Sequence, residues 1–458
     1  MRAIDGTKLK EYLTCPRLPY LSFHLDRELE LPPTEGMRIL FRNGYRVEEQ
    51  ILEGFEHEAV SFPAGDLDAG FQATLELMDR KALAISGGVL KLGEFLGRPD
   101  LLLLNEEDGR YEVADIKSSR VAHASAVMQV GFYSRMLGQV RPSPHHGTVI
   151  VRDGSRFRFR TADYRASVEH LIEVLQGFRS DQGKDPGPHL THACPDCRYR
   201  DHCGAELEQQ QDLSLVPGMT RAQARSLRRA GIANLDLLAE ELDPGPLAKR
   251  CGLPADLLIQ LGRRARAMRD GRPLFFGAPS SAVAKAGFGL AALYVERQVE
   301  PAVAVGGQVF GHAEKFRVRF LRKEEASDPQ AEFRELVVNL SRSTGPVLVY
   351  GNGVVRCLDR MVRRTPSLAS GVNRLRDRFV DLRAELRRSV ALPGLDGTPL
   401  QAARSAGLRL AQEETDLELL RYLEQEEGGE RGSVERILRR DLSLLEQLRG
   451  FLFRRGEA

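Results

Sequence analysis

No apolar run in the 458 residues approaches the roughly 20 needed to cross a bilayer; even Leu101-Leu102-Leu103-Leu104 is closed off by Asp100 and Asn105. Charge of one sign is equally scarce. The 66 Lys and Arg stand against 64 Asp and Glu, so the net charge of +2 gives no wholesale polyanion-binding character. The opening Met1-Arg2-Ala3-Ile4-Asp5-Gly6 lacks an apolar signal core, and a cytoplasmic location is expected. No membrane partner is therefore expected. Structural disulfides are rare in that compartment, which turns six cysteines into a question of metal or redox chemistry. No repeat of fixed period is evident. No Gly-x-x-x-x-Gly-Lys-Ser/Thr loop occurs, so any nucleotide-driven motor would belong to another chain.

What remains is a globular balance, 42% hydrophobic and 28% charged, in a chain long enough for two to four domains. After Gly36, Ile39, Leu40, Val47, Ile51 and Leu52 follow a helical stripe. Three β-like runs succeed it, Val89–Leu96, Pro99–Leu104 and Arg110–Lys117, with Asn105–Gly109 reading as a turn. A helix from about Ser125 to Leu137 and strands at Gly147–Val151 and Arg156–Arg160 complete an α/β pattern. Residues 205–215 read as a polar linker or helix end. Residues 213–273 read as all-helical and basic, with 11 Lys and Arg against 6 Asp and Glu between 217 and 272. Beyond a Gly- and Ala-rich stretch, Leu293–Val295, Lys315–Leu321 and Pro346–Tyr350 are strand candidates. Helices are expected near 329–342, 353–364, 401–411 and 433–453.

Three signals lie in chain order: Gly97-Arg98-Pro99-Asp100, Asp115-Ile116-Lys117, and Gln129-Val130-Gly131-Phe132-Tyr133. Residues two apart on a strand share a face, so Asp115 and Lys117 point together. If Asp100 sits on the neighbouring strand, two carboxylates and an ammonium converge. Crowded carboxylates suit a hard divalent cation, which polarises a phosphodiester and acidifies a bound water. An isolated Asp-x-Lys is usually solvated surface charge. Asp115, however, interrupts the apolar alternation of Tyr111–Ile116, where a carboxylate needs a reason. Gln129 and Tyr133, four apart, share a helix face.

Cys194-Pro195-Asp196-Cys197 and Cys203 form a C-x2-C-x5-C cluster, with Cys15 far upstream in Thr14-Cys15-Pro16-Arg17. Such spacing suits a metal centre, and spacing alone does not separate zinc from iron–sulfur. Zinc held by the three downstream cysteines with His192, His202 or Cys251 is an alternative. Cys251 and Cys357 otherwise read as buried thiols.

Asp100, Asp115-x-Lys117 and Gln129-x-x-x-Tyr133 together resemble the PD-(D/E)xK nuclease superfamily, in its RecB-like branch. The resemblance implies a restriction-endonuclease-like core over residues 1–207. Asp100, Asp115 and the Ile116 carbonyl would bind Mg²⁺ or Mn²⁺, with Glu48 as a further ligand from the upstream helix and Glu49 as its rival. Lys117 would position the attacking water, while Gln129 and Tyr133 support the site. Some RecB-like nucleases bracket this core with one upstream and three downstream cysteines binding a [4Fe–4S] cluster. The arrangement of Cys15, Cys194, Cys197 and Cys203 resembles theirs, with zinc as the lesser alternative.

Leu215-Val216-Pro217-Gly218-Met219-Thr220 and the helix after it resemble a helix–hairpin–helix module over 213–273. Its hairpin would offer backbone N–H groups to phosphate near Gly218, with Arg221, Arg225, Arg228 and Arg229 beside it. Residues 288–458 resemble an RNase H-like (DnaQ-like exonuclease) domain in which Tyr294 and Asn352 replace expected acids while Glu296 and Asp441 match. Loss of a bridging carboxylate implies an inactive domain. The expected fold class is thus multidomain α/β. The expected function is a metal-dependent deoxyribonuclease acting on single-stranded ends or flaps, in DNA repair, recombination or defence. A non-catalytic nucleic-acid adaptor, or a subunit working beside a helicase or repair partner, is the competing expectation.

Overall fold

The structure, a computed structural model, describes residues 2–180, 182–240, 243–295, 302–320, 344–394, 396–408 and 431–453, with scattered positions between 331 and 338. It is mixed α/β and divides into two compact units, Met1–Glu206 and Leu207–Ala458. The helical segment 213–273 and the C-terminal sheet fall within the same second unit. Among the described residues no helix is long and apolar enough to cross a membrane.

The first unit begins with α1 (Gly6–Thr14), whose N-cap Asp5 accepts the Lys8 N–H at 2.8 Å. Thr34 caps α2 (Glu35–Leu52) in the same way through the Met37 N–H. The sheet then forms from β1 (Glu58–Ala59), β2 (Ala84–Ser86), β3 (Leu101–Asn105) and β4 (Arg110–Lys117). After α3 (Ala124–Leu137) come β5 (His146–Val151), β6 (Arg156–Arg160) and α4 (Thr161–Arg179). The six strands lie in chain order across the sheet. Strands β3 and β4 are antiparallel, and α3 crosses over to make β5 parallel to β4.

Both faces of this sheet are covered, which is why Tyr111–Ile116 is buried throughout rather than at alternate positions. Leu102, Val113 and Val149 face the main core with α1, α3 and α4. Leu101, Ala114, Ile116 and Ile150 meet Val47 of α2 on the other side. The run read as one strand over Val89–Leu96 is instead a tight hairpin, Leu90–Leu92 against Phe95–Gly97. Gly93 turns it at φ +57°, a conformation that glycine adopts without a Cβ clash. Of the two readings of the polar stretch 205–215, linker or helix end, the second holds. A helix runs Arg200–Gln209, and Leu207 and Leu213 are fully buried.

In the second unit, α5 (Arg221–Arg229) opens with a capping box between Thr220 and Gln223. Two short helices and α6 (Ala255–Arg269) close a small core around Leu227, Leu238, Leu261 and Ala265. A five-stranded sheet follows, from β7 (Phe288–Val295), β8 (Ala302–Val309), β9 (His312–Phe320), β10 (Val347–Val349) and β11 (Phe379–Asp381). Their order is β9-β8-β7-β10-β11; the first three are antiparallel and β7, β10 and β11 parallel. Helices α7 (Gly353–Arg364), α8 (Leu382–Ser389) and α9 (Arg431–Phe453) complete the unit. The sequence did not signal β8, because Gly306-Gly307 interrupts its alternation. Gly307 lets Phe288 pack close: a Cβ there would meet its ring at 2.7 Å. Most of the helix expected at 329–342 lies outside the described residues, as does Glu296.

Candidate active site and cysteine cluster

The β3–β4 register places Leu101 across from Ala114, so one step further sets Asp100 beside Asp115. The Asp100 Oδ2 accepts the Ile116 N–H at 2.6 Å, locking that carboxylate against β4. Asp115 is 1% exposed; its Oδ2 lies against the Lys117 ammonium and is otherwise without a hydrogen-bond partner. Glu48 is half-buried on α2, directly after the Val47 anchor that fixes the helix to the sheet. Burial and the Asp115 charge both push the Glu48 carboxyl above its usual range, with Lys117 and Arg98 opposing. Burial, then Asp115, push Asp100 well above the ordinary carboxylate range, and Glu48 adds to the push. The three carboxylates therefore feel one another in one low-dielectric place.

Lys117 answers them. Burial alone would depress its pKa, but Asp115 and Asp100 outweigh that and raise it, so the ammonium stays charged. Gln129 donates from Nε2 to the Tyr133 hydroxyl at 2.9 Å, as their helical spacing implied. Tyr133 is buried, and burial with the Asp115 charge raises its pKa, keeping it protonated. The approach of α1 to this pair requires Gly6: a Cβ there would lie 2.5 Å from the Tyr133 hydroxyl. Asp100, Asp115, Lys117, Glu48 and the Gln129–Tyr133 pair are thus gathered at one end of β3 and β4.

Two contributions went unread in the sequence. Lys10 of α1 feels Lys117 and Asp115; burial and Lys117 lower its pKa. Nothing local in the chain marks it, since only the packing of α1 brings it near. Phe41 and Tyr45, 47% and 71% exposed, stand on the same helix as Glu48. Their signal was legible as an aromatic pair four apart on the helix that carries Glu48.

The four cysteines converge as well. Cys197 feels Cys15 and Cys194, and Cys203 feels Cys197 and Cys15. Backbone N–H groups already point at sulfur: Thr191 to Cys194 at 3.2 Å and Tyr199 to Cys197 at 3.4 Å. The Arg17 guanidinium donates to Cys203 Sγ at 3.6 Å while paired with Asp185 and Glu206 at 2.7 Å each. Burial pushes the Cys203 thiol up to about 11 against the pull of Arg17. Polar ties reinforce the junction: Arg198 pairs with Glu11, Tyr199 bonds Glu30, and Thr34 bonds Asp196. The alternative zinc ligands do not join this group. His192 and His202 are exposed, and Cys251 is packed in the core of the helical segment. Among the described residues, no three His, Cys, Asp or Glu side chains are arranged to hold a metal ion as they stand. The donor chemistry nevertheless suits one at both places: crowded carboxylates for a hard cation, and thiols with N–H donors for a soft centre.

In the helical segment Gly218 adopts φ +85°, and a Cβ there would lie 2.9 Å from the Arg264 guanidinium. Arg225 and Arg229 are exposed and Arg221 half-buried. Arg228 is ion-paired with the buried Asp212, an internal contact of the segment. Of the exonuclease-like positions, Tyr294 is on β7, Asn352 immediately precedes α7, and Asp441 on α9 pairs with Arg440 at 2.9 Å. No family model matches the chain, and no curated protein matches it.

Proposed function

We propose that the chain is a divalent-metal-dependent nuclease of the RecB-like PD-(D/E)xK kind, cutting DNA phosphodiester bonds. The observation that carries this reading is the meeting of Asp100, Asp115, Glu48 and Lys117 at the end of two paired strands. The mixed α/β frame that carries these residues, with α3 crossing over to set β5 parallel to β4, supports it. Asp100, Asp115, Glu48 and the Ile116 carbonyl would hold Mg²⁺ or Mn²⁺, which supplies Lewis-acid polarisation of the phosphate and a more acidic water.

Lys117 keeps its proton against burial and so meets the negative charge that grows on the phosphate, besides orienting the incoming water. Gln129 and Tyr133 fix the wall behind it, and a protonated Tyr133 adds no further negative charge. Lys10 brings a second cation toward the same charge. The exposed Phe41 and Tyr45 offer faces on which unpaired bases stack, which favours single-stranded ends or flaps. Cys15, Cys194, Cys197 and Cys203 would hold a [4Fe–4S] cluster, or zinc as the lesser alternative, closing residue 15 onto residue 203. The order β9-β8-β7-β10-β11, or 3-2-1-4-5, supports an RNase H-like reading of the second sheet, with Tyr294 and Asn352 leaving it without catalysis.

The test is a cleavage panel of single-stranded, duplex, flap and RNA substrates with Mg²⁺ or Mn²⁺, using protein whose iron and sulfide content has been measured. Cleavage that vanishes in Lys117→Ala while binding persists is the expected result. A second reading, a non-catalytic nucleic-acid adaptor, rests on the basic helical segment with its exposed Arg225 and Arg229. That reading gains if no divalent ion yields cleavage and DNA still binds.

A further inference from the structure

The second unit contains a cavity of about 250 Å³ that the proposed metal and cysteine sites do not use. Its walls come from segments far apart in sequence. The two-residue strand Leu274–Phe275 pairs antiparallel with Val390–Ala391, and the Phe276 and Gly277 N–H groups continue the ladder onto the Ser389 carbonyl. This joins the end of α6 to the end of α8. Gly218, Arg264, Phe276, Arg383, Arg387 and Asp396 line the space between them.

The charge there is unbalanced, with three guanidiniums facing one carboxylate. Asp396 is gripped by Arg387, at 2.6 and 2.8 Å, and more loosely by Arg383 at 3.3 Å. Arg264 donates to the Pro217 carbonyl at 2.7 Å, which satisfies one of its five N–H groups and none of its charge. The Arg383 Nε is buried with no hydrogen-bond partner. Burial lowers the Arg264 pKa, and Arg387 and Arg383 add to that lowering while Asp396 opposes it. Three planar forks line the cavity with one acid, Asp381 being the next carboxylate to reach Arg387, which leaves a net positive charge and donors to spare. A tetrahedral, multiply charged oxyanion matches both features better than a carboxylate does. Phe276, with Arg263 stacked 4.0 Å from its centroid, adds an aromatic wall.

We propose that this cavity is a phosphate-binding site for a nucleotide, either free or as part of a nucleic-acid strand, held by Arg264, Arg383 and Arg387. The site stands on the second unit alone and does not depend on cleavage by the first. Gly218 acquires a role in it, because its missing Cβ is what lets Arg264 lie over the hairpin.

The experiment titrates the full-length chain, without added divalent ions, with inorganic phosphate, thymidine monophosphate, and a short oligothymidylate with and without a 5′-phosphate. Arg387→Gln should weaken binding roughly tenfold, the scale of one charge-assisted contact. Asp396→Asn removes the competing acid and should tighten binding several-fold, a direction that damage to the fold does not produce. Arg374→Gln, at an exposed position outside the cavity, should change nothing. If the mononucleotide follows this order, the site takes a free nucleotide; if only the oligonucleotide does, it grips a strand. Affinities that are equal in wild type, Arg387→Gln and Asp396→Asn overturn the proposal, as does equal weakening by both variants.

Discussion

Both units rest on a mixed sheet, yet they treat the ends of their parallel strands differently. In the first, β4 delivers Asp115 and Lys117 where Asp100 and Glu48 also arrive, and burial with the Asp115 charge drives the Asp100 and Glu48 carboxyls above their usual range. In the second, β7 brings Tyr294, and Asn352 stands where α7 begins. The lesson is energetic. Gathering carboxylates in a buried place costs stability and persists where a cation or a reaction repays it. Tyr294 and Asn352 carry no charge at neutral pH, so they add no such repulsion.

The sharpest way to break this comparison is at Lys117. Lys117→Ala should lower single-turnover cleavage by roughly 10²–10⁴-fold with little change in DNA binding, whereas Asp441→Asn in the second unit should leave the rate unchanged. Equal losses from both would erase the distinction between an active and a worn site. Next in size is the cysteine cluster. Cys197→Ser should abolish iron or zinc content and cost on the order of 2–5 kcal/mol in unfolding free energy of the first unit, the scale of losing a covalent staple. Elemental analysis with denaturant melts checks it, and a melt unchanged by Cys357→Ser would not be expected, since that thiol is buried in a packed core.

Tyr45→Ala is third. The ring is 71% exposed, so the melting curve should move by less than about 0.5 kcal/mol, while affinity for single-stranded DNA should fall by roughly tenfold. Fluorescence anisotropy against duplex and single strand separates stacking from general charge.

Smallest is the charge at Asp100. Its folded carboxyl titrates above the unfolded value, so it favours folding at low pH and that benefit is lost as pH rises from about 4 through the raised value. Without divalent ions, Asp100→Asn should therefore be more stable than wild type at neutral pH, with the gap closing near pH 4. Added Mn²⁺ should stabilise the wild type and not the variant. Denaturant midpoints across that pH range, with and without Mn²⁺, read both effects.

Much of the first unit was legible in the chain. The run Arg110–Lys117 is a strand with the bounds its alternation implied, and the spacing of Gln129 and Tyr133 is now a hydrogen bond. The hairpin at Gly93 escaped notice because an apolar run carries no mark of where it reverses unless the glycine's φ is known. Strand β8 escaped because Gly306-Gly307 breaks its alternation, while the close approach of the Phe288 ring to Gly307 is a tertiary contact that overrides local propensity. Arg228 looked like its neighbours in sequence, and only the fold commits it to Asp212.

The sequence by itself determined the chemistry that is available: which carboxylates, thiols and guanidiniums exist, and which of them share a strand or helix face through periods of 2 and 3.6. Tertiary structure decided which of them meet. Lys10 reaches Lys117 because Gly6 lets α1 close on Tyr133, and Arg264 faces Arg383 and Arg387 because a two-residue ladder joins α6 to α8. Local spacing fixes directions along one element. Charge, burial and cavities arise between elements, where the distance in space bears no relation to the distance along the chain.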